Sequence, residues 1–137
     1  MFVTKDDLLE NIRENVLDGI TSFDDNKLIS AIKFAVSLME GHLNARYDTA
    51  AIFNATGDNR NPVILTYCID IALYRMHSRI NPRKIPKFRK DNYDDAMMWL
   101  DGVKSEKINQ PGLPSVADDT TRDYIKFGGN PPRETYY

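Results

Sequence analysis

Apolar residues recur at steps of three and four between Asp24 and Tyr47, which is the spacing of one helical face. The repeating positions are Leu28, Ile32, Ala35, Val36, Met39 and Leu43. Asp24 stands where a carboxylate caps the first amides of a helix. We expect this helix to be the one against which the others pack. Residues 48–61 lack either periodicity and predict a loop, with Ile52 and Phe53 tucked into the core.

A second apolar pattern begins at Asn61-Pro62, an N-cap followed by a proline in the first helical turn. From Val63 to about Ile80 nearly every position is apolar, so this helix is predicted to be central. A basic connector separates it from a further helix at about Phe88–Val103. We expect a core shared by these three helices and built on Ile32, Val36, Met39, Tyr67, Ile71 and Trp99.

The N-terminal segment predicts one shorter helix. Thr4 is a suitable N-cap, and Asp18-Gly19 would end the helix. Its apolar stripe is formed by Leu8, Leu9, Ile12 and Val16. Phe23, just before the next helix, is expected to fold back on Leu28.

The sequence changes character after Lys104, where prolines and glycines interrupt any helical periodicity. We therefore predict an all-α fold with a four- to five-helix, bundle-like domain over residues 1–106 and an extended C-terminal arm over residues 107–137. The arm carries aromatic side chains that are costly to leave in water. The candidate partner-binding residues in the arm are Tyr124, Phe127, Tyr136 and Tyr137. The arm from about Ile108 is expected to tie this chain to a neighbouring subunit, and wrapping over its own helices is the open alternative.

Length, charge and composition indicate an ordinary single-domain protein that does not span a membrane. A chain of 137 residues is one domain by length, and a net charge of −2 gives no global reason to expect nucleic acid or a membrane. No apolar run approaches the roughly 20 residues of a membrane span, and acids stand where a secretory signal would be basic and then apolar. A single cysteine cannot form an intrachain disulfide, which fits a reducing compartment.

The residues that carry chemistry do not assemble into a recognisable site. His42 and His77 belong to different predicted helices without further ligands at metal-binding spacing, so we expect no metal. Cys68 lies among large apolar residues, where a buried inert thiol is expected. Neither a phosphate-binding glycine motif nor a set of nucleophile, base and orienting residue is present, so we expect no enzyme activity and no cofactor.

The basic connector is the polar feature of the sequence that could bind a partner. Its cations are Arg79, Arg83, Lys84, Lys87, Arg89 and Lys90, with aromatic side chains interleaved. Three interpretations stay open. The connector is a solvated loop, it docks on an acidic face of a partner protein, or it grips phosphates and stacks bases. Nucleic acid ranks behind the other two because the whole chain is slightly acidic.

Asp70 is the acidic residue within the otherwise apolar helix that starts at Pro62. A carboxylate in such surroundings must be paired or hydrogen-bonded, because an isolated buried charge is too costly. Arg46, at the end of the preceding long helix, offers a bidentate donor. We predict a structural ion pair between Arg46 and Asp70.

The pattern of helix-core residues, with an Arg-Tyr pair at the end of the first long helix, resembles small helical proteins of Mu-like phages and prophages. The likeness covers roughly residues 1–103 and is carried by Ala31, Ala35, Leu43, Arg46, Tyr47, Pro62, Leu65, Asp70, Ile71, Ala72, Tyr74, Tyr93, Ala96, Trp99 and Leu100. That family is similar to the head–tail connector (adaptor) proteins of tailed phages.

The resemblance implies a structural protein without catalytic residues. It implies a subunit that joins others in a ring, docks to the portal protein and contacts tail proteins. Such a chain would reside in the cytoplasm of the bacterial host and then in the virion, and it could be a monomer before assembly. The alternative is a prophage-encoded nucleic-acid-binding helical module that uses residues 79–90.

Overall fold

The structure, a computed structural model, describes residues 1–116. Those residues form six α-helices and one short 3-10 helix, Gly57–Asn59, and they contain no strand beyond one isolated bridge. The α-helices are α1 Lys5–Leu9, α2 Glu14–Thr21, α3 Asp25–Leu43, α4 Thr49–Asn54, α5 Pro62–Ile80 and α6 Lys87–Lys104. The predicted all-α fold is confirmed, and two short helices add to the predicted set.

The three long helices α3, α5 and α6 pack on one another. Their side-chain contacts show that they run up, down and up. Two aromatic pairs fix α5 against α6: the Tyr67 and Trp99 rings are tilted with centroids 5.0 Å apart, and the Tyr74 and Tyr93 rings are stacked at 4.1 Å. The later tyrosine on α5, Tyr74, contacts the earlier residue on α6, Tyr93, so α5 and α6 are antiparallel. The short helices α1, α2 and α4 cover the outside of this trio.

Two caps explain where the long helices begin. The carboxylate of Asp24 accepts a hydrogen bond from the Asn26 amide at 2.9 Å. The side chain of Asn61 accepts from the amides of Val63 and Ile64 at 3.0 and 3.2 Å, and Pro62 stands in the first turn of α5. These polar contacts satisfy amides that have no partner within the helix. Both predicted helix starts are confirmed.

The core joins all three long helices. Of the residues predicted to form it, Ile32, Met39, Ile71 and Trp99 are buried, while Val36 and Tyr67 are half-buried and pack against them. Ile52 and Phe53 are buried as predicted, but they lie on α4 rather than in a loop. The carboxylate of Asp48 accepts from the Ala51 amide and starts that helix.

The N-terminal segment differs from the prediction of one helix. It forms α1 and α2 with a turn at residues 10–13 between them, in which the Ile12 amide donates to the carbonyl of Leu8. The turn shifts the phase of the apolar stripe, so Leu17 is buried and Val16 is exposed. Gly19 lies within α2 and does not end it.

Phe23 is also placed differently. It does not fold back on Leu28 but is 81% exposed. Ser22 and Phe23 both have a positive φ, 54° and 59°, so the chain makes a left-handed turn between α2 and α3 in which the Phe23 side chain is exposed.

Residues 105–116 fold back on the helical body. Ile108 and Leu113 pack against the core, the Asp48 amide donates to the carbonyl of Pro114 at 2.9 Å, and the Val116 amide donates to the carbonyl of Arg46 at 3.2 Å. In this part the expected intermolecular arm is instead attached to its own chain. The predicted division into residues 1–106 and 107–137 stays a prediction.

Candidate interaction surfaces

An open groove of about 390 Å³ lies where the start of α3 meets the end of α5. Its apolar floor and walls include Ile20, Met76 and Ile80. Lys27 of α3 and Arg79 of α5 line the same groove. Because α3 and α5 are antiparallel, cations that are distant in sequence share one end of the molecule. The groove combines apolar surface with positive charge, which suits an acidic segment that carries large apolar side chains.

A third cation of the groove, Arg75, is held in place by an aromatic ring. Its guanidinium carbon lies 3.9 Å from the centroid of the Phe34 ring on α3. This stacking is a cation–π contact, which orders the long arginine side chain before any partner arrives. Lys27 and Arg75 were not predicted as site residues, since only the packing of α3 against α5 brings them together with Arg79.

The basic connector does not form one continuous cationic surface. Arg89 is buried, with 3% of its surface exposed. Lys87 and Lys90 each pair with a carboxylate one helical turn later, Asp91 and Asp94, with both nitrogen–oxygen distances at 3.0 Å. Exposed pairs of this kind are weak and compete only modestly with a partner.

The remaining cations of the connector are placed on its surface. Arg79, Arg83 and Lys84 are exposed, and among the described residues none of the three forms an ion pair. Phe88 is 59% exposed beside them in sequence. The structure thus separates the six predicted cations into one groove residue, two exposed turn residues, two locally paired lysines and one buried arginine.

Asp70 and Arg46 are not brought together. Among the described residues Asp70 has no ion pair within 4.0 Å, and the charge that acts on it is that of Arg89 on α6. Burial raises the pKa of Asp70 to about 6, against the opposing effect of Arg89 and with a further increase from Asp95. The predicted ion pair is therefore wrong, because Asp70 faces the first half of α6 while Arg46 lies at the other end of the bundle.

Arg46 instead anchors the segment that follows α6. Its guanidinium donates to the carbonyl oxygens of Val103 at 2.7 Å and Ile108 at 2.9 Å, and it makes a further hydrogen bond to the side chain of Asn109. These acceptors lie in the last turn of α6 and just beyond it, where carbonyls have no partner within the helix. Arg46 thus has a structural role, as predicted, but with a different partner.

A second arginine fixes the N-terminus. Arg60 contacts Asp7 at 2.6 Å and donates to the carbonyl of Phe2 at 2.8 Å. Burial alone would raise the pKa of Asp7, but hydrogen bonds from Arg60 and Thr4 outweigh it and leave that pKa below its ordinary value. This clamp holds the buried residues Phe2 and Val3 on the core.

The groups considered for catalysis or metal binding lie apart. Cys68 is fully buried, and burial raises the pKa of its thiol to about 12. His77 is buried on α5, while His42 on α3 contacts Asp101 with a nitrogen–oxygen distance of 3.4 Å. Within residues 1–116 no three His, Cys, Asp or Glu residues are grouped to hold a metal ion. No helix in that part of the chain is long and apolar enough to cross a membrane.

The aromatic residues of the predicted arm, Tyr124, Phe127, Tyr136 and Tyr137, lie outside the described residues. Their expected role in binding a neighbouring subunit therefore stays a prediction.

The chain matches a known protein family. A family model described as "Bacteriophage Mu, Gp36" matches residues 2–124, which is nearly the whole chain. No curated protein and no solved structure matches the chain.

Proposed function

This chain belongs to the bacteriophage Mu Gp36 family, and we propose that it is a head–tail connector (adaptor) subunit of the virion neck. In this proposal several copies form a ring, dock to the portal protein and present a platform to the tail. The role is structural, without catalysis or cofactor. The protein would first be present in the cytoplasm of the bacterial host and then in the assembled particle.

The observation that carries the proposal is the family match over residues 2–124, which identifies a phage protein. The all-α body supports it, because the resemblance to connector proteins rests on the cores of the same helices that the structure contains. The described surface also offers features typical of protein contacts: a groove that is apolar and cationic, and exposed apolar side chains at Phe23, Phe88 and Met98.

A second candidate function is nucleic-acid binding through the basic connector. It is favoured by the exposed cations Arg79, Arg83 and Lys84 and by the exposed ring of Phe88. It is weakened by the burial of Arg89 and by the local pairing of Lys87 and Lys90.

One pair of binding measurements separates the two functions. The full-length chain is mixed with the portal protein of the same phage or prophage and passed through a size-exclusion column. In parallel, its binding to duplex DNA is followed by fluorescence anisotropy over a range of salt concentrations. A connector should elute with the portal, whereas a nucleic-acid binder should show DNA affinity that falls steeply with salt. DNA binding of that kind without portal association would contradict the connector proposal.

An Arg83→Ala, Lys84→Ala double variant refines the second measurement. If the connector grips phosphates, the variant loses DNA affinity and its salt dependence becomes shallower. Both residues are exposed in the turn between α5 and α6, so the fold should not change.

A further inference from the structure

We propose that the groove between α3 and α5 is the docking site for residues 117–127 of another copy of this chain. This inference deepens the proposed function and rests on it, since it supplies the contact that would join neighbouring subunits of a ring. The groove is defined by Ile20, Lys27, Arg75, Met76, Arg79 and Ile80.

The groove and the segment match in charge and in apolar surface. Within residues 1–116, three cations line the groove and no carboxylate does. The segment 117–127 starts with the acidic pair Asp118 and Asp119, and its later part carries Asp123 between two cations and the apolar side chains of Tyr124, Ile125 and Phe127. Acids near the cations and large apolar side chains on the apolar floor would satisfy both halves of the groove.

The side chains of the groove are already arranged to bind an occupant. Arg75 is held over the Phe34 ring at 3.9 Å, so less side-chain freedom is lost when it binds a carboxylate. Ile80 is 43% exposed at the edge of the groove, and burying it would contribute to binding.

The length of chain after Val116 decides which copy supplies the segment. Val116, the last described residue, is hydrogen-bonded to Arg46 just beyond the end of α3. Lys27 lies at the other end of α3, about 24 Å from Leu43 along the helix axis. Asp118 and Asp119 follow Val116 by two and three residues, and a chain of that length spans at most about 11 Å. These carboxylates cannot reach Lys27 or Arg79 of their own chain, so the groove that takes them belongs to a different copy.

This geometry also predicts the kind of assembly. The segment leaves one end of the molecule and the groove lies at the other, so the two contact surfaces are different. Repeated head-to-tail contacts of this type close into a ring or continue as a filament. A contact that related two copies by a twofold axis would pair the same surface with itself.

Site-specific photo-crosslinking of the full-length chain tests the proposal. An Ile80→p-benzoylphenylalanine variant places the crosslinker at the groove edge. The same substitution at Met98, which is 71% exposed on α6, serves as the control position. Equal amounts of unlabelled and nitrogen-15-labelled chain are mixed and irradiated, and the crosslinked peptides are identified by mass spectrometry.

The proposal predicts mixed-isotope crosslinks from position 80 to residues 117–127, and none to that segment from position 98. Crosslinks from position 80 that join only residues of the same chain would overturn it. A reaction at position 80 that never reaches residues 117–127, even at the highest soluble concentration, would overturn it as well.

Charge variants give an independent readout. Lys27→Glu combined with Arg79→Glu should lower the yield of mixed-isotope crosslinks by about fivefold. Lys33→Glu is the matched control, since Lys33 is an exposed lysine of α3 outside the groove, and the yield should not change. Adding Asp118→Lys and Asp119→Lys to the groove variant should restore the yield. An equal loss with Lys33→Glu would contradict a specific site.

These measurements contain no portal protein, so their outcome is independent of the portal test. Portal binding without the groove contact would leave the connector function standing and remove only this inference.

Discussion

The guanidinium of Arg46 donates a 2.7 Å hydrogen bond to the carbonyl oxygen of Val103, which joins the end of α3 to the last turn of α6. The same side chain holds the carbonyl of Ile108, so it also fixes the start of the segment after α6 to the body. Hydrogen bonds from a charged donor are stronger than neutral ones, and both acceptors are partly buried.

Replacing Arg46 by methionine should therefore lower the free energy of unfolding by about 2–4 kcal/mol, because two or more charge-assisted hydrogen bonds are lost at once. Urea denaturation followed by circular dichroism measures this change. Arg13→Met is the control, since Arg13 is exposed and makes no capping hydrogen bond with its side chain. If Arg13→Met lowered the free energy of unfolding as much as Arg46→Met does, the effect of Arg46→Met could not be assigned to its hydrogen bonds with the Val103 and Ile108 carbonyls.

Gly102 allows Ile108 to approach α6 closely. A Cβ atom at position 102 would stand 2.5 Å from Cδ1 and 2.9 Å from Cγ1 of Ile108, whereas a Cβ at Gly41 on α3 would meet nothing within 4 Å. We expect Gly41→Ala to stabilise the protein by about 0.5–1 kcal/mol through helix propensity.

Gly102→Ala should lack that gain and should destabilise the protein, because the Ile108 side chain must move from its place on the core. The matched pair is compared by thermal unfolding. Combining Gly102→Ala with Ile108→Ala should recover part of the loss, since the clash disappears. A stabilising Gly102→Ala variant would show that Ile108 does not lie against this position.

The stability of the protein should depend on pH through Asp70 and His77, with opposite signs. Burial raises the pKa of Asp70 from its ordinary 3.8 to about 6 despite the nearby Arg89, and Asp95 raises it further. The folded state therefore holds the Asp70 proton more tightly than the unfolded state does. As a result, the contribution of Asp70 to the free energy of unfolding falls as pH rises from about 4 to about 6. Burial, followed by the charge of Arg89, lowers the pKa of His77 below 6.5. The contribution of His77 to the free energy of unfolding therefore rises with pH until about pH 6.5.

An Asp70→Asn variant separates the two effects. Over pH 4 to 6 its free energy of unfolding should increase relative to the unmodified protein by about 1–2 kcal/mol, after allowance for solvent screening. Urea denaturation at a series of pH values measures the difference. Parallel pH profiles for the two proteins would mean that the Asp70 carboxyl is not perturbed in the folded state.

The long helices could be predicted because their signals are repeated and local. α3 and α5 each carry a cap beside a sustained pattern, and Asp24 and Asn61 do cap them. The break between α1 and α2 could not be predicted, since a helix of five residues is too short to establish a period.

The partners of the buried charged residues could not be predicted from the sequence, for a different reason. Arg46 donates to backbone carbonyls. Because every residue type has a backbone carbonyl, the sequence cannot indicate which ones accept. Arg89 stands in a run of exposed cations, and only the packing of α6 shows that it is buried. The groove depends on the antiparallel placement of α3 and α5, which joins Lys27 to Arg79 across about fifty residues of sequence.

The connector function itself is tested most directly by electron microscopy of the portal protein of the same phage or prophage, imaged alone and after addition of this full-length chain. A connector should add a ring of density, coaxial with the portal and attached to one of its faces, in particles that contain the chain. Portal particles that look the same with and without an excess of the chain would contradict the connector function.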